Sequence, residues 1–223
     1  MQELPLSVSS GHMLMTVEGQ SWLLDTGSPS SFGDAGVITL DGQEFSVASD
    51  YMGLSGKLLS GYLGQSVAGL IGADILNSID VVIDSGRGLT TFSRVAFDLQ
   101  GEVLQMEAFM SIPIIEVKIN DQMHRMFFDT GAQISYFQDD ALSSFPTRGV
   151  LKDFFPGMGE FETQTHDVPV GIESMEFMLR CGSLPGLLGM TLGLAGTAGI
   201  VGNEVCAEHT VGYFARRGIL VLA

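Results

Sequence analysis

Residues 22–31, WLLDTGSPSS, drive an apolar run into Asp25, Thr26 and Gly27, and residues 126–135, MFFDTGAQIS, do the same into Asp129, Thr130 and Gly131. A carboxylate at the end of a buried strand is costly unless its charge is matched or its ionisation is used. A single aspartate of this kind is commonly a turn residue that caps its own backbone. Two in the same local frame point to a site built from both. The flanking sequence repeats as well. HMLMTV, the turn EGQ and SWLLDTG in the first half correspond to PIIEVKI, NDQ and MHRMFFDTG in the second, and each set predicts a β-hairpin whose second strand ends at the aspartate.

Downstream of each motif a second block recurs. Residues 69–92, GLIGADILNSIDVVIDSGRGLTTF, lie without a gap over residues 199–222, GIVGNEVCAEHTVGYFARRGILVL, so that Gly69, Gly72, Ile75, Arg87 and Gly88 fall on Gly199, Gly202, Val205, Arg217 and Gly218. Each block reads as a short apolar strand ending at a glycine, a helical turn or two, and a strand with an Arg-Gly turn. Asp25 precedes Gly72 by 47 positions and Asp129 precedes Gly202 by 73, so the second half carries about 26 extra residues. Within them FETQTHDVPV and ESMEFMLRC read as an added hairpin. The short apolar runs between glycine-rich turns predict an all-β fold with short helices. It divides into 1–100 with the first motif and 101–223 with the second, joined near residues 97–103.

Two Asp-Thr-Gly motifs after paired large apolar residues, each followed by apolar-apolar-Gly, resemble the pepsin and retropepsin superfamily of aspartic proteases. The residues that carry the resemblance are Leu23 to Gly27 with Leu70, Ile71 and Gly72, and Phe127 to Gly131 with Ile200, Val201 and Gly202. The resemblance implies two β-barrel halves about a pseudo-twofold axis, with Asp25 and Asp129 meeting between them as the catalytic pair. It further implies peptide hydrolysis by a water held between the two carboxyls, a polypeptide substrate, and no metal or cofactor. Like charges that close cannot both ionise, so one carboxyl keeps a proton and serves as acid while the other serves as base. Each threonine, Thr26 and Thr130, is expected to hydrogen-bond the opposite loop. Gly27 and Gly131 let the backbone turn tightly, and Gly72 and Gly202 let a strand pass close behind. Ser28 can donate to Asp25 where the matching Ala132 has nothing to donate, which predicts that Asp25 carries the charge and Asp129 the proton.

A family flap is sought in FFPGMGEF, residues 154–161, whose candidates are Phe155, Gly157, Met158, Gly159 and Phe161; the alternative is a glycine-containing surface loop. A principal flap in the second half departs from the pepsin pattern. The first half offers DYMGLSGKLLSGYLG, residues 50–64, which reads as a helical turn and a connection, with a small lid as the other possibility. The chain is far shorter than a pepsin and close to two fused retropepsin subunits, which implies a monomer containing both aspartates. No acidic residue lies within four positions of either motif, and the hairpin candidates are apolar, so cleavage is expected between large apolar residues.

Composition narrows the other classes. The chain has 223 residues, enough for one large domain or two of about 100. It is 45% apolar and carries a formal charge of −16, which disfavours nucleic acid and anionic membrane surfaces as partners. No apolar stretch approaches the roughly 20 residues of a membrane span, and MQELPLSVSS lacks the regions of a signal peptide, so a soluble, cytoplasmic protein is expected. Cys181 and Cys206 show no metal-ligand spacing and favour a reducing compartment, with pairing between them left open. His12, His124, His166 and His209 also lack ligand spacing. GLLGMTLGLAGTAG, residues 186–199, lacks the order of a phosphate-binding loop and reads as an ordinary loop. Two rival functions remain: a peptide-binding module that keeps the fold without cutting, and a two-carboxylate glycosidase. The glycosidase needs aromatic platforms that a single tryptophan, Trp22, hardly provides.

Overall fold

The computed structural model describes residues 1–155 and 158–223, apart from the side chain of Leu187. The protein is mostly β with a few short helices. Period-two burial drives the strands: in Ile112–Ile119, Ile115, Val117 and Ile119 are buried while Glu116 and Lys118 face solvent. Both hairpins that lead to the aspartates close on two-residue turns. Val17 pairs with Gln20 across Glu18 (φ 50°) and Gly19 (φ 79°), and Ile119 pairs with Gln122 across Asn120 (φ 50°) and Asp121 (φ 61°). Positive φ at both central residues gives the turn whose twist matches the strands it joins.

One sheet has ten strands in the order Glu102–Gln105, Ile219–Leu222, Val211–Phe214, Asp80–Asp84, Leu89–Ser93, Gln2–Ser9, His12–Val17, Gln20–Leu24, Gly69–Ile71 and Phe32–Gly33. Early and late parts of the chain meet in it where Val81 lies opposite Tyr213. Beneath that junction Asp80 is fully buried and receives Arg216 at 2.8 Å and Arg217 at 3.2 Å. We expect Asp80→Asn to cost about 2 kcal/mol, because it removes the charge from a buried pair while leaving both arginines in place. Urea titration of the two proteins checks this; unchanged midpoints would show that the arginines are satisfied by solvent.

The second sheet has eight strands, in the order Glu107–Phe109, Ile112–Ile119, Gln122–Phe128, Gly199–Val201, Ser135–Phe137, Met175–Gly182, Gly159–Ile172 and Thr147–Phe155. The last three hold the added segment. FETQTHDVPV lies in Gly159–Ile172, and ESMEFMLRC supplies a turn at Glu173 and Ser174 and then all but the last residue of Met175–Gly182, paired from His166 with Cys181 to Ile172 with Met175.

The loop expected over residues 186–199 is instead largely the helix Gly186–Ala195. Its glycines weaken the intrinsic helical preference, but Leu188, Leu192 and Ala195 are buried against Ile114, Phe127 and Tyr136, and packing of that stripe outweighs propensity. Gly196, at φ 63°, ends the helix by returning its amide to the Gly193 carbonyl. Residues 50–64 form a two-strand ribbon, Asp50–Tyr51 with Leu54–Ser55, and the helix Gly56–Leu63. Cys181 and Cys206 are buried free thiols. Among the described residues no helix is long and apolar enough to cross a membrane.

Candidate active site

The strands Gln20–Leu24 and Gln122–Phe128 each run parallel to a three-residue strand, Gly69–Ile71 and Gly199–Val201. This pairing carries each aspartate to the same local position. The Asp25 amide donates to the Ile71 carbonyl at 3.0 Å and the Asp129 amide to the Val201 carbonyl at 2.9 Å. Behind the loops, the amide of Gly72 donates to Ser31 Oγ at 2.8 Å and that of Gly202 to Ser135 Oγ at 3.0 Å. An added Cβ would lie 2.7 Å from the Ser28 carbonyl oxygen at Gly72 and 2.4 Å from the Ile134 carbonyl oxygen at Gly202. Only glycine fits so close an approach.

The two loops are locked together by the threonines. Thr26 Oγ1 donates to the Phe128 carbonyl at 2.7 Å and accepts from the Thr130 amide at 3.0 Å; Thr130 Oγ1 donates to the Leu24 carbonyl at 2.9 Å and accepts from the Thr26 amide at 3.0 Å. Both threonines are buried, so all four bonds are shielded from water. Each aspartate also caps its own turn. Asp25 Oδ1 accepts from Gly27 N at 2.9 Å and Ser28 N at 2.8 Å, and Asp129 Oδ1 from Gly131 N at 2.8 Å and Ala132 N at 3.2 Å. Turn capping and a paired site are thus the same geometry. It fixes one oxygen of each carboxyl and leaves the other for its partner.

The carboxyls face each other through the glycines: a Cβ on Gly27 would sit 2.2 Å from Asp129 Cγ, and one on Gly131 2.4 Å from Asp25 Cγ. Both side chains are enclosed on their flanks yet open to the cleft. Burial, the charge of Asp129 and the bond between the two side chains raise the Asp25 carboxyl well above the usual carboxylate range. Burial raises Asp129 too, while the hydrogen bond from Asp25 and the amides of Gly131 and Ala132 pull it back. Both carboxyls are thus raised, and the single proton belongs to a pair that titrates as a unit. The Ser28 hydroxyl expected to hold charge on Asp25 is turned away and donates to the Ser30 carbonyl at 2.9 Å. The donor on which the expected order of the two aspartates rested is therefore directed elsewhere.

A cleft of about 410 Å³ opens over the pair. Its walls are mainly apolar and include Leu23, Phe32, Leu70, Ile112, Leu188 and Ile200. The strands Thr147–Phe155 and Gly159–Ile172 form a hairpin with Phe155 opposite Gly159, and Phe155 and Phe161 line the cleft with Phe154. Phe154 reaches the helix Gly56–Leu63 and stacks on Tyr62, ring centres 4.6 Å apart. Met158 is partly exposed next to this hairpin's end; Gly157 lies outside the described residues. Tyr51 and Met52, from the small ribbon, line the cleft from the first half, so the segment expected chiefly as a connection also borders the site. Trp22 is 1% exposed and cannot serve as a platform there.

Three residues of the site escaped the motif reading. His12 Nδ1 donates to the Gly131 carbonyl at 3.1 Å, and burial lowers its pKa, leaving a neutral ring on the cleft wall. Tyr136 donates its hydroxyl to Asp153, and burial together with that carboxylate raises the phenol far above its usual range. Asp153 itself enters the cleft from the hairpin, although no acidic residue accompanies either motif in sequence. Its signal was present: VLKDFF places an acid inside a strand's apolar run, as the two motifs do. Among the described residues no group of three or more His, Cys, Asp or Glu side chains is placed to hold a metal ion. No known protein-family model matches this chain, and no curated protein matches it significantly.

Proposed function

We propose that the protein is an aspartic endopeptidase of the pepsin and retropepsin kind, built as two pseudo-twofold halves with one active site between them. The reciprocal threonine bonds that hold Asp25 and Asp129 face to face are the observation that carries this reading. Asp129, as carboxylate, takes a proton from a water positioned between the pair, and the water's oxygen attacks the peptide carbonyl carbon. Asp25 donates its proton to the carbonyl oxygen, giving a neutral tetrahedral diol. Collapse breaks the C–N bond as the leaving nitrogen takes a proton from Asp129 and Asp25 recovers one from the diol, restoring the starting state. The hairpin 147–172 covers the substrate as a flap, and the apolar walls favour side chains with a long or bulky apolar stem at the positions they enclose. Incubation with a denatured protein from acid to neutral pH, with and without a hydroxyl-bearing peptidomimetic, tests the reading. Cleavage blocked by the peptidomimetic is expected; binding of peptides without cleavage would instead indicate a silent module.

Both carboxyls come from one chain, so a monomer suffices. Activity per molecule should stay constant on hundredfold dilution, whereas a site assembled from two subunits loses activity as the subunits part. A steep fall in specific activity, with an active fraction confined to dimers in size-exclusion chromatography, would reject the monomer.

A further inference from the structure

We propose that Asp153 makes the cleft selective for a substrate carrying a basic side chain beside the scissile bond, its carboxylate receiving the cationic head while the apolar wall takes the stem. This rests on the endopeptidase reading and adds a substrate class to it. Asp153 is 8% exposed and shares the cleft with Asp25 and Asp129. Its Oδ1 accepts from the Phe154 amide at 2.8 Å and its Oδ2 from the Tyr136 hydroxyl. Both donors are neutral. Among the described residues no lysine or arginine pairs with Asp153 or lines the cleft; the adjacent Lys152 is bound to Glu160 at 2.7 Å. The other ionisable groups facing the cleft are His12, Tyr51, Tyr136 and the two catalytic candidates, none of which supplies a positive charge near neutral pH.

A carboxylate withdrawn from water with only neutral donors gains when a cation reaches it. The dyad's own negative charge adds to the local potential. Lysine and arginine suit the surroundings because three or four methylenes can lie along Phe155 and Phe161 before the charged head is reached. A large apolar side chain fills the same wall but leaves the carboxylate unmatched.

The test uses two peptides that differ at one residue flanking the cut, lysine in one and norleucine in the other, so that the stem is kept and the charge removed. The wild-type protein should cleave the lysine peptide with kcat/KM about tenfold higher. Asp153→Asn keeps an acceptor for the Tyr136 hydroxyl and should abolish that preference, read as the ratio of kcat/KM for the two peptides within the same variant. Equal or better cleavage of the norleucine peptide by the wild type, or a lysine preference that survives Asp153→Asn, overturns the inference and leaves the endopeptidase reading standing. Uncleavable hydroxyl-bearing analogues of the two peptides, measured by calorimetry, test the selectivity apart from catalysis. Tighter binding of the lysine analogue supports it even if neither peptide is cut, an outcome that counts against the endopeptidase reading alone. Equal affinities, or no binding of either analogue, overturn it.

Discussion

Asparagine at either position of the pair, Asp25→Asn or Asp129→Asn, should lower kcat/KM for peptide cleavage by at least about a thousandfold, since in the proposed mechanism each change removes the general acid or the general base. The fold should survive. An asparagine side-chain oxygen still accepts the amides that hold each carboxyl, Gly27 and Ser28 in one loop and Gly131 and Ala132 in the other. Stability should even rise near neutral pH. Both carboxyls are raised in the folded protein, so the native state holds a proton that the unfolded chain gives up above about pH 4. The sign follows: native stability is lost as pH rises from the unfolded carboxylate pKa through the folded ones, and a neutral amide escapes that loss. Thermal melts of Asp25→Asn and the wild type should coincide in acid and separate toward pH 7, with the variant melting higher. A variant that keeps a tenth of its activity, or melts lower at pH 7 than in acid by as much as wild type, would contradict the assignment.

Gly131→Ala should be nearly as damaging to cleavage, at least about a thousandfold in kcat, through geometry alone. The new methyl would lie 2.4 Å from Asp25 Cγ, and the carboxyl cannot retreat without breaking its bonds to Gly27 and Ser28. Gly27→Ala meets Asp129 Cγ at 2.2 Å and should behave alike. Overpacking of this kind also costs about 1–3 kcal/mol of stability. Gly61→Ala is the control: it lies within the helix Gly56–Leu63 with nothing within 4 Å of the place its methyl would take, and should be neutral or stabilising by up to about 1 kcal/mol. Activity retained in Gly131→Ala would mean that the two loops stand further apart than described.

What the sequence disclosed follows from how local each feature is. The hairpins and the strands ending at Asp25 and Asp129 were legible because alternation and turn residues act over a few positions, and the glycines Gly72 and Gly202 because close approach leaves no other choice. The helix Gly186–Ala195 was missed because its glycines argue against it locally, whereas the leucine stripe that decides the matter is satisfied only by distant Ile114 and Phe127. The Ser28 hydroxyl was placed wrongly for a related reason: a donor next to an aspartate has several acceptors, and the Ser30 carbonyl is nearer to hand. Asp153 and Tyr136 lie 17 positions apart and join the site only through the hairpin's fold, which no spacing rule predicts.

The most direct measurement of an acid and base sharing one proton is the pH dependence of kcat/KM for a single good peptide substrate. A bell is expected. The acid limb marks the pair losing its first proton and the alkaline limb the loss of its second, with activity reaching above the ordinary carboxylate range because burial raises both groups. A profile that climbs from acid to a plateau at neutral or alkaline pH, unchanged by Asp129→Asn, would show that the two aspartates are not the catalysts.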